Sequence, residues 1–174
     1  MKKQTGMLWA TLAGLILLGG CAFQVPDYAE HASGKPPIAA PTTNKYKVGD
    51  FIAKNPVDSI HCRGNFPGVH TRGKMPFHAY IREALVEDLK GAGIFAANAG
   101  NIINAVLEKV DYHSMSGVWE IEMRVSVTNM DPFDLRSKYD YDTSFIYFIA
   151  CPNSAKSFPD AVRDFNAKLI QRLP

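Results

Sequence analysis

The chain has 174 residues, 47% of them apolar, with 19 Lys+Arg against 17 Asp+Glu and three cysteines. That length suits one domain with a true core. The near balance of charge gives no electrostatic basis for nucleic-acid binding or for a polybasic membrane contact, and neither a block of like charge nor a fixed-period repeat stands out.

The chain opens with Lys2 and Lys3, an apolar run over residues 7–18, and the junction Leu18-Gly19-Gly20-Cys21. A basic start, a short apolar run and a small-residue boundary are the parts of an export signal, assigned here to residues 1–20. A membrane span needs ~20 predominantly apolar residues, and Thr11, Gly14, Gly19 and Gly20 interrupt this stretch. A plain secretory signal needs no cysteine at its junction. The ending resembles the lipobox of bacterial lipoproteins. That resemblance implies cleavage before Cys21, diacylglycerol on its sulfur and a third acyl chain on its freed amine, making the membrane a partner through Cys21. One acyl chain binds a bilayer marginally, whereas several anchor stably. Ala22 stands where such lipoproteins carry an aspartate for inner-membrane retention. The resemblance therefore implies the periplasmic face of a Gram-negative outer membrane. Loss of Lys2 and Lys3 with the signal takes the net charge from +2 to zero.

Residues 21–45 carry Pro26, Pro36, Pro37 and Pro41 among Ser33, Gly34, Thr42, Thr43 and Asn44. Such a segment reads as an extended tether that holds the domain off the bilayer; a partner-binding arm is the alternative. Residues 46–174 then form the globular domain. An early strand is expected over residues 59–63. The first clear helix spans residues 77–93, where Phe77, Ile81, Ala84, Leu85 and Leu89 share one face and Arg82, Glu83, Glu87, Asp88 and Lys90 cover the rest. Gly91 and Gly93 supply its stop. A strand follows over residues 102–112, then a turn over residues 114–117. The next strand is strictly alternating, with Trp119, Ile121, Met123, Val125 and Val127 inward and Glu120, Glu122, Arg124, Ser126 and Thr128 outward. Asn129-Met130-Asp131-Pro132 breaks it. A partner strand is expected over residues 139–150, alternating Tyr139, Tyr141, Phe145, Tyr147 and Ile149 with Asp140, Asp142 and Ser144. Ile146 and Phe148 make its far end apolar on both faces, as under an extra layer. Ser157, with Asp160 three residues on and Pro159 between, suggests the capped start of a last helix, whose buried stripe is Phe158, Val162, Phe165 and Leu169. The fold class is α+β: a two-layer sandwich, mainly antiparallel, with about four strands and two helices on one face.

This order of elements resembles small envelope lipoproteins of the YajG and LptE sort. Cys62-Arg63-Gly64, Tyr80-Ile81-Arg82-Glu83-Ala84 and Ser116-Gly117-Val118-Trp119 are similar to segments of a family of uncharacterised bacterial lipoproteins. The resemblance covers about residues 60–174 and implies fold and compartment, with almost no chemistry.

Once Cys21 is lipidated, Cys62 and Cys151 are the remaining thiols, and an even pair in an oxidising periplasm is expected as a disulfide. The rival is a reactive thiol assisted by adjacent His61. Neighbours on a strand point to opposite faces, and no oxyanion motif accompanies them. His61, His70, His78 and His113 match no compact ligand spacing and read as scattered histidines rather than a metal site. Glu120 and Glu122 with Asp140 and Asp142 could form a four-carboxylate face for a cation or basic partner; a solvated face near Arg124 and Lys138 is the plainer reading. Tyr139, Tyr141, Phe145 and Tyr147 could be a binding platform or core packing. No catalytic, cofactor or metal site is assigned. The expected role is a non-catalytic binding or assembly module with an envelope protein partner. A glycan- or lipid-binding domain is the alternative, and a hydrolase a distant third.

Overall fold

Alternation along residues 118–127 produces the central strand of the larger sheet. The computed structural model describes residues 23–63 and 66–174. Within it that strand is β6 (Val118–Val127), flanked antiparallel by β5 (Asn101–His113) and β7 (Phe133–Asp140). β2 (Tyr46–Ala53) completes the order β2-β5-β6-β7 and runs parallel to β5. Trp119, Ile121, Met123, Val125 and Val127 are all buried, in register with Tyr112, Leu107 and Ala105 on one side and Leu135 on the other. The opposite face carries cross-strand ion pairs, among them Arg136–Glu122 and Lys54–Glu108.

Two long helices cover the apolar face. Helix α2 (Phe77–Gly91) buries Phe77, Ile81, Ala84, Leu85 and Leu89, the expected stripe. Helix α3 (Tyr147–Ile170) packs against it. Where they meet, Phe158 lies with its ring centroid 4.6 Å from Trp119 and 5.1 Å from Phe77. The Trp119 indole N–H donates to the Ser154 carbonyl at 2.9 Å and to the Ser157 hydroxyl at 3.1 Å, so a polar handle is satisfied inside the core. This is the expected two-layer α+β sandwich.

A smaller sheet, ordered β1-β4-β3, lies beside α3. Its strands are β1 (Phe23–Gln24), β3 (Ser59–Cys62) and β4 (Phe66–His70). β1 runs parallel to β4, and β3 antiparallel.

Three expectations change. Residues 139–150 do not form one strand: β7 ends at Asp140 and α3 begins at Tyr147. Ala150, Cys151, Ser154, Ala155 and Phe158 are buried at helical spacings of three and four, which outweighs the apparent alternation. Ser157 consequently sits inside α3 instead of capping it, and Pro152 and Pro159 are carried within the helix. Residues 23–45 do not extend as a tether. Val25 is fully buried, and β1 pairs with β4. Asp27 caps α1 (Tyr28–Ala32) by accepting from the amides of Ala29 and Glu30, while Ile38 and Ala40 pack on the core. Prolines disfavour a long helix in this segment but do not stop single apolar residues from filling gaps in the core. Finally, Asp88, expected on the polar face of α2, is buried.

Candidate functional site

Cys21 lies outside the described residues. Cys62, at the end of β3, and Cys151, in the first turns of α3 instead of at a strand end, are both fully buried. Their sulfurs are at disulfide distance, with Cα atoms 6.1 Å apart across a sequence separation of 89 residues. His61 is exposed beside a sulfur already engaged with its partner.

The four histidines do not converge. His113 is exposed, and His70 places Nδ1 2.9 Å from the Thr71 carbonyl. His78 lies on α2 with its imidazole pKa lowered by burial. Among the described residues no group of three or more His, Cys, Asp or Glu side chains could hold a metal ion.

The four-carboxylate face is not assembled either. Glu120 accepts from Lys109 at 2.5 Å and Lys138 at 2.6 Å, and these bonds hold its carboxyl down to about 2. Glu122 faces Arg136 at 3.4 Å. Asp140, at the end of β7, shares the outward phase of Lys138, and Asp142 lies beyond the strand; both border an open groove with Lys156 and Asp160. The expected aromatic run is divided as well. The Tyr141 hydroxyl lies 2.7 Å from the Ser154 hydroxyl, Tyr147 packs edge-on against Phe23, and Phe145 is in solvent.

Two features were missed at the level of sequence. One is a polar knot that binds the N-terminal segment to both long helices. Asp88 accepts from the Tyr28 hydroxyl at 2.5 Å, from Asn166 at 2.8 Å and from Arg163 at 3.1 Å. Arg163 also donates to the Pro36 carbonyl. Burial raises the Asp88 carboxyl above its ordinary range. Beside this knot a groove of about 450 Å³ opens between α1 and α2, with Tyr28, Met75, Tyr80 and Val86 as its apolar wall and Arg72 and Arg82 at its rim.

The other is an apolar tip at the start of α3. Phe145 is 85% exposed, Phe148 71%, Ile146 52% and Ile149 46%. Phe148 and Ile149 open α3, and Phe145 and Ile146 immediately precede it, so the four exposed side chains lie in one contiguous stretch. Arg63 holds the tip from below. Its guanidinium donates to the carbonyls of Phe145 at 2.7 Å and Ser144 at 2.8 Å, and to the Ser114 carbonyl and hydroxyl at 3.1 and 3.0 Å. Arg63 directly follows Cys62, so the sulfur pair and the guanidinium fasten the base of the tip from adjacent positions. This arrangement presents an apolar surface on a fastened base, a geometry suited to binding.

No family model and no curated protein matches this sequence. The fold is similar to the crystal structure of protein XCC0632 from Xanthomonas campestris, of family DUF330. That likeness has 13% identity over 76% of this chain and 86% of that chain, with a TM-score of 0.49. It is too distant to bear on function.

Proposed function

We propose that this protein is a lipid-anchored envelope protein on the periplasmic side of a Gram-negative outer membrane, acting as a non-catalytic binding or assembly module. The observation that carries the reading is the junction Leu18-Gly19-Gly20-Cys21 directly ahead of a domain whose first strand starts at Phe23. The Cys62–Cys151 pair is the kind of structural thiol pair that an oxidising compartment preserves. None of the helices in the described residues is long and apolar enough to cross a membrane. A second reading, binding of a small glycan or lipid, is favoured by the groove between α1 and α2, whose volume falls in the range of ligand pockets.

Cys21→Ala tests the anchor. Fractionation should find the variant as uncleaved precursor or soluble protein, and intact mass should show the acyl groups on the wild type alone. A variant held at the membrane as tightly as the wild type would sink the reading. Crosslinking in intact cells, followed by identification of what is bound, then separates a protein partner from a small ligand.

A further inference from the structure

We infer that the apolar tip of α3 is a membrane-docking surface, seated in the bilayer leaflet that holds the acyl chains of Cys21, so that the domain lies on the membrane in a fixed orientation. This rests on the lipid-anchor reading above and adds to it a contact made by the protein itself.

The argument starts from chain length. Cys21 precedes Phe23 by two residues, and two residues span at most ~7 Å. Phe23 is fixed: it belongs to β1, paired with Val69 of β4, and its ring centroid lies 6.1 Å from that of Tyr147. Tyr147 in turn stacks edge-on with Phe148 at 5.0 Å. Acyl chains on Cys21 therefore leave the protein beside the residues that expose the most apolar surface. With residues 23–45 folded onto the domain, no slack lets the domain swing away from the bilayer.

Chemistry agrees with this placement. The tip presents two Phe and two Ile without an intervening charge in residues 145–149, the residue types that enter the acyl boundary. Met115, 62% exposed, sits in the β5–β6 turn whose Ser114 shares the Arg63 clamp with Ser144 and Phe145. Three acyl chains already supply stable attachment. The tip adds orientation, directing the outer face of the large sheet and the groove between α1 and α2 to constant positions relative to the membrane.

The test uses the acylated protein carrying Phe148→Trp, reconstituted in vesicles of phosphatidylethanolamine and phosphatidylglycerol with brominated acyl chains. Trp119 is buried in the core and supplies a constant background. The introduced indole should lose most of its emission to the bromines. An indole introduced by Ile52→Trp, exposed on β2 roughly 20–25 Å along β5 from the Arg63 clamp, should keep its emission. Adding Phe145→Glu and Ile146→Glu to the Phe148→Trp protein should abolish the quenching, with acyl mass and circular dichroism unchanged. Acylated, folded protein whose Phe148→Trp indole is unquenched would overturn the docking surface while leaving the anchor intact. So would equal quenching at both positions, or a photo-crosslinker at residue 145 that captures protein in place of lipid in cells. Absence of acyl mass on Cys21 in the wild type would instead overturn the anchor, and this inference with it.

Discussion

Gly117 closes the turn between β5 and β6 with φ +70°, and a Cβ there would strike the Tyr141 carbonyl oxygen. The same residue accepts the Tyr141 amide at 2.7 Å, so the turn and the chain leaving β7 are locked together. Gly117→Ala should cost about 2 kcal/mol or more in urea unfolding, from the left-handed backbone and the contact combined. Gly91→Ala is the control. Its Cβ would meet open space in an ordinary helical conformation, and the change should be neutral or stabilising by about 0.5 kcal/mol. Glu120 makes a different residue-scale prediction. Its folded carboxyl titrates near 2, below the ordinary carboxylate value, so its bonds to Lys109 and Lys138 stabilise the fold at neutral pH. That contribution fades as pH falls from the ordinary value through 2. Because the pairs are on the sheet's outer face, Glu120→Gln should cost no more than about 1 kcal/mol at pH 7 and almost nothing near pH 2. Wild-type and variant unfolding curves that stay equally far apart across that range would contradict the assignment.

At the scale of elements, α2 and β6 were legible because each keeps one period from end to end, and Trp119 is buried as its phase requires. β7 was displaced because its inward positions are Phe133, Leu135, Ser137 and Tyr139, and the serine interrupts the apolar series. The start of α3 was hidden by Pro152 and by an apolar run over residues 146–150 that periodicity cannot assign to helix or strand. The exposed tip was illegible for the same reason: whether Phe145 and Phe148 meet core or solvent is decided by tertiary packing, and a core aromatic is the same letter. α1 and β1 are too short to show a period, and what holds them is a set of contacts far apart in sequence. Chief among these is the Asp88 knot, which joins α1, α2 and α3 through Tyr28, Asn166 and Arg163. Removing the carboxylate leaves Arg163, Tyr28 and Asn166 without their shared acceptor, and breaking a buried pair in this way costs about 3 kcal/mol or more. Asp88→Ala should therefore lower stability by that order and expose residues 33–45 to limited proteolysis well before the sheets are cut. Cleavage that begins in β5 or β6 would show that the knot does not hold the N-terminal segment.

For the whole molecule, the decisive link is between its two sheets. The smaller sheet shares no strand pairing with the larger one among the described residues, and it is held through α3 and through Cys62 and Cys151. A covalent bond between those sulfurs closes a long loop, and constraining the unfolded chain over that separation is worth about 4–5 kcal/mol, less whatever strain the folded state carries. The bond would also fix the β1–β4–β3 sheet, and with it Phe23, against the base of the apolar tip. Cys62→Ser with Cys151→Ser should accordingly lower the stability of the exported protein by up to about 4 kcal/mol, read from urea unfolding of both proteins under oxidising conditions. Dithiothreitol should weaken the wild type by the same amount and leave the variant unchanged. Peptide mapping of the wild type without reductant should recover the segments around Cys62 and Cys151 as one linked species. Two freely alkylated thiols in folded, exported protein would show that the pair is held by packing alone, and the anchoring of the smaller sheet would then rest on contacts such as those of α3, Arg63 and the Tyr112 hydroxyl on the Ile60 carbonyl.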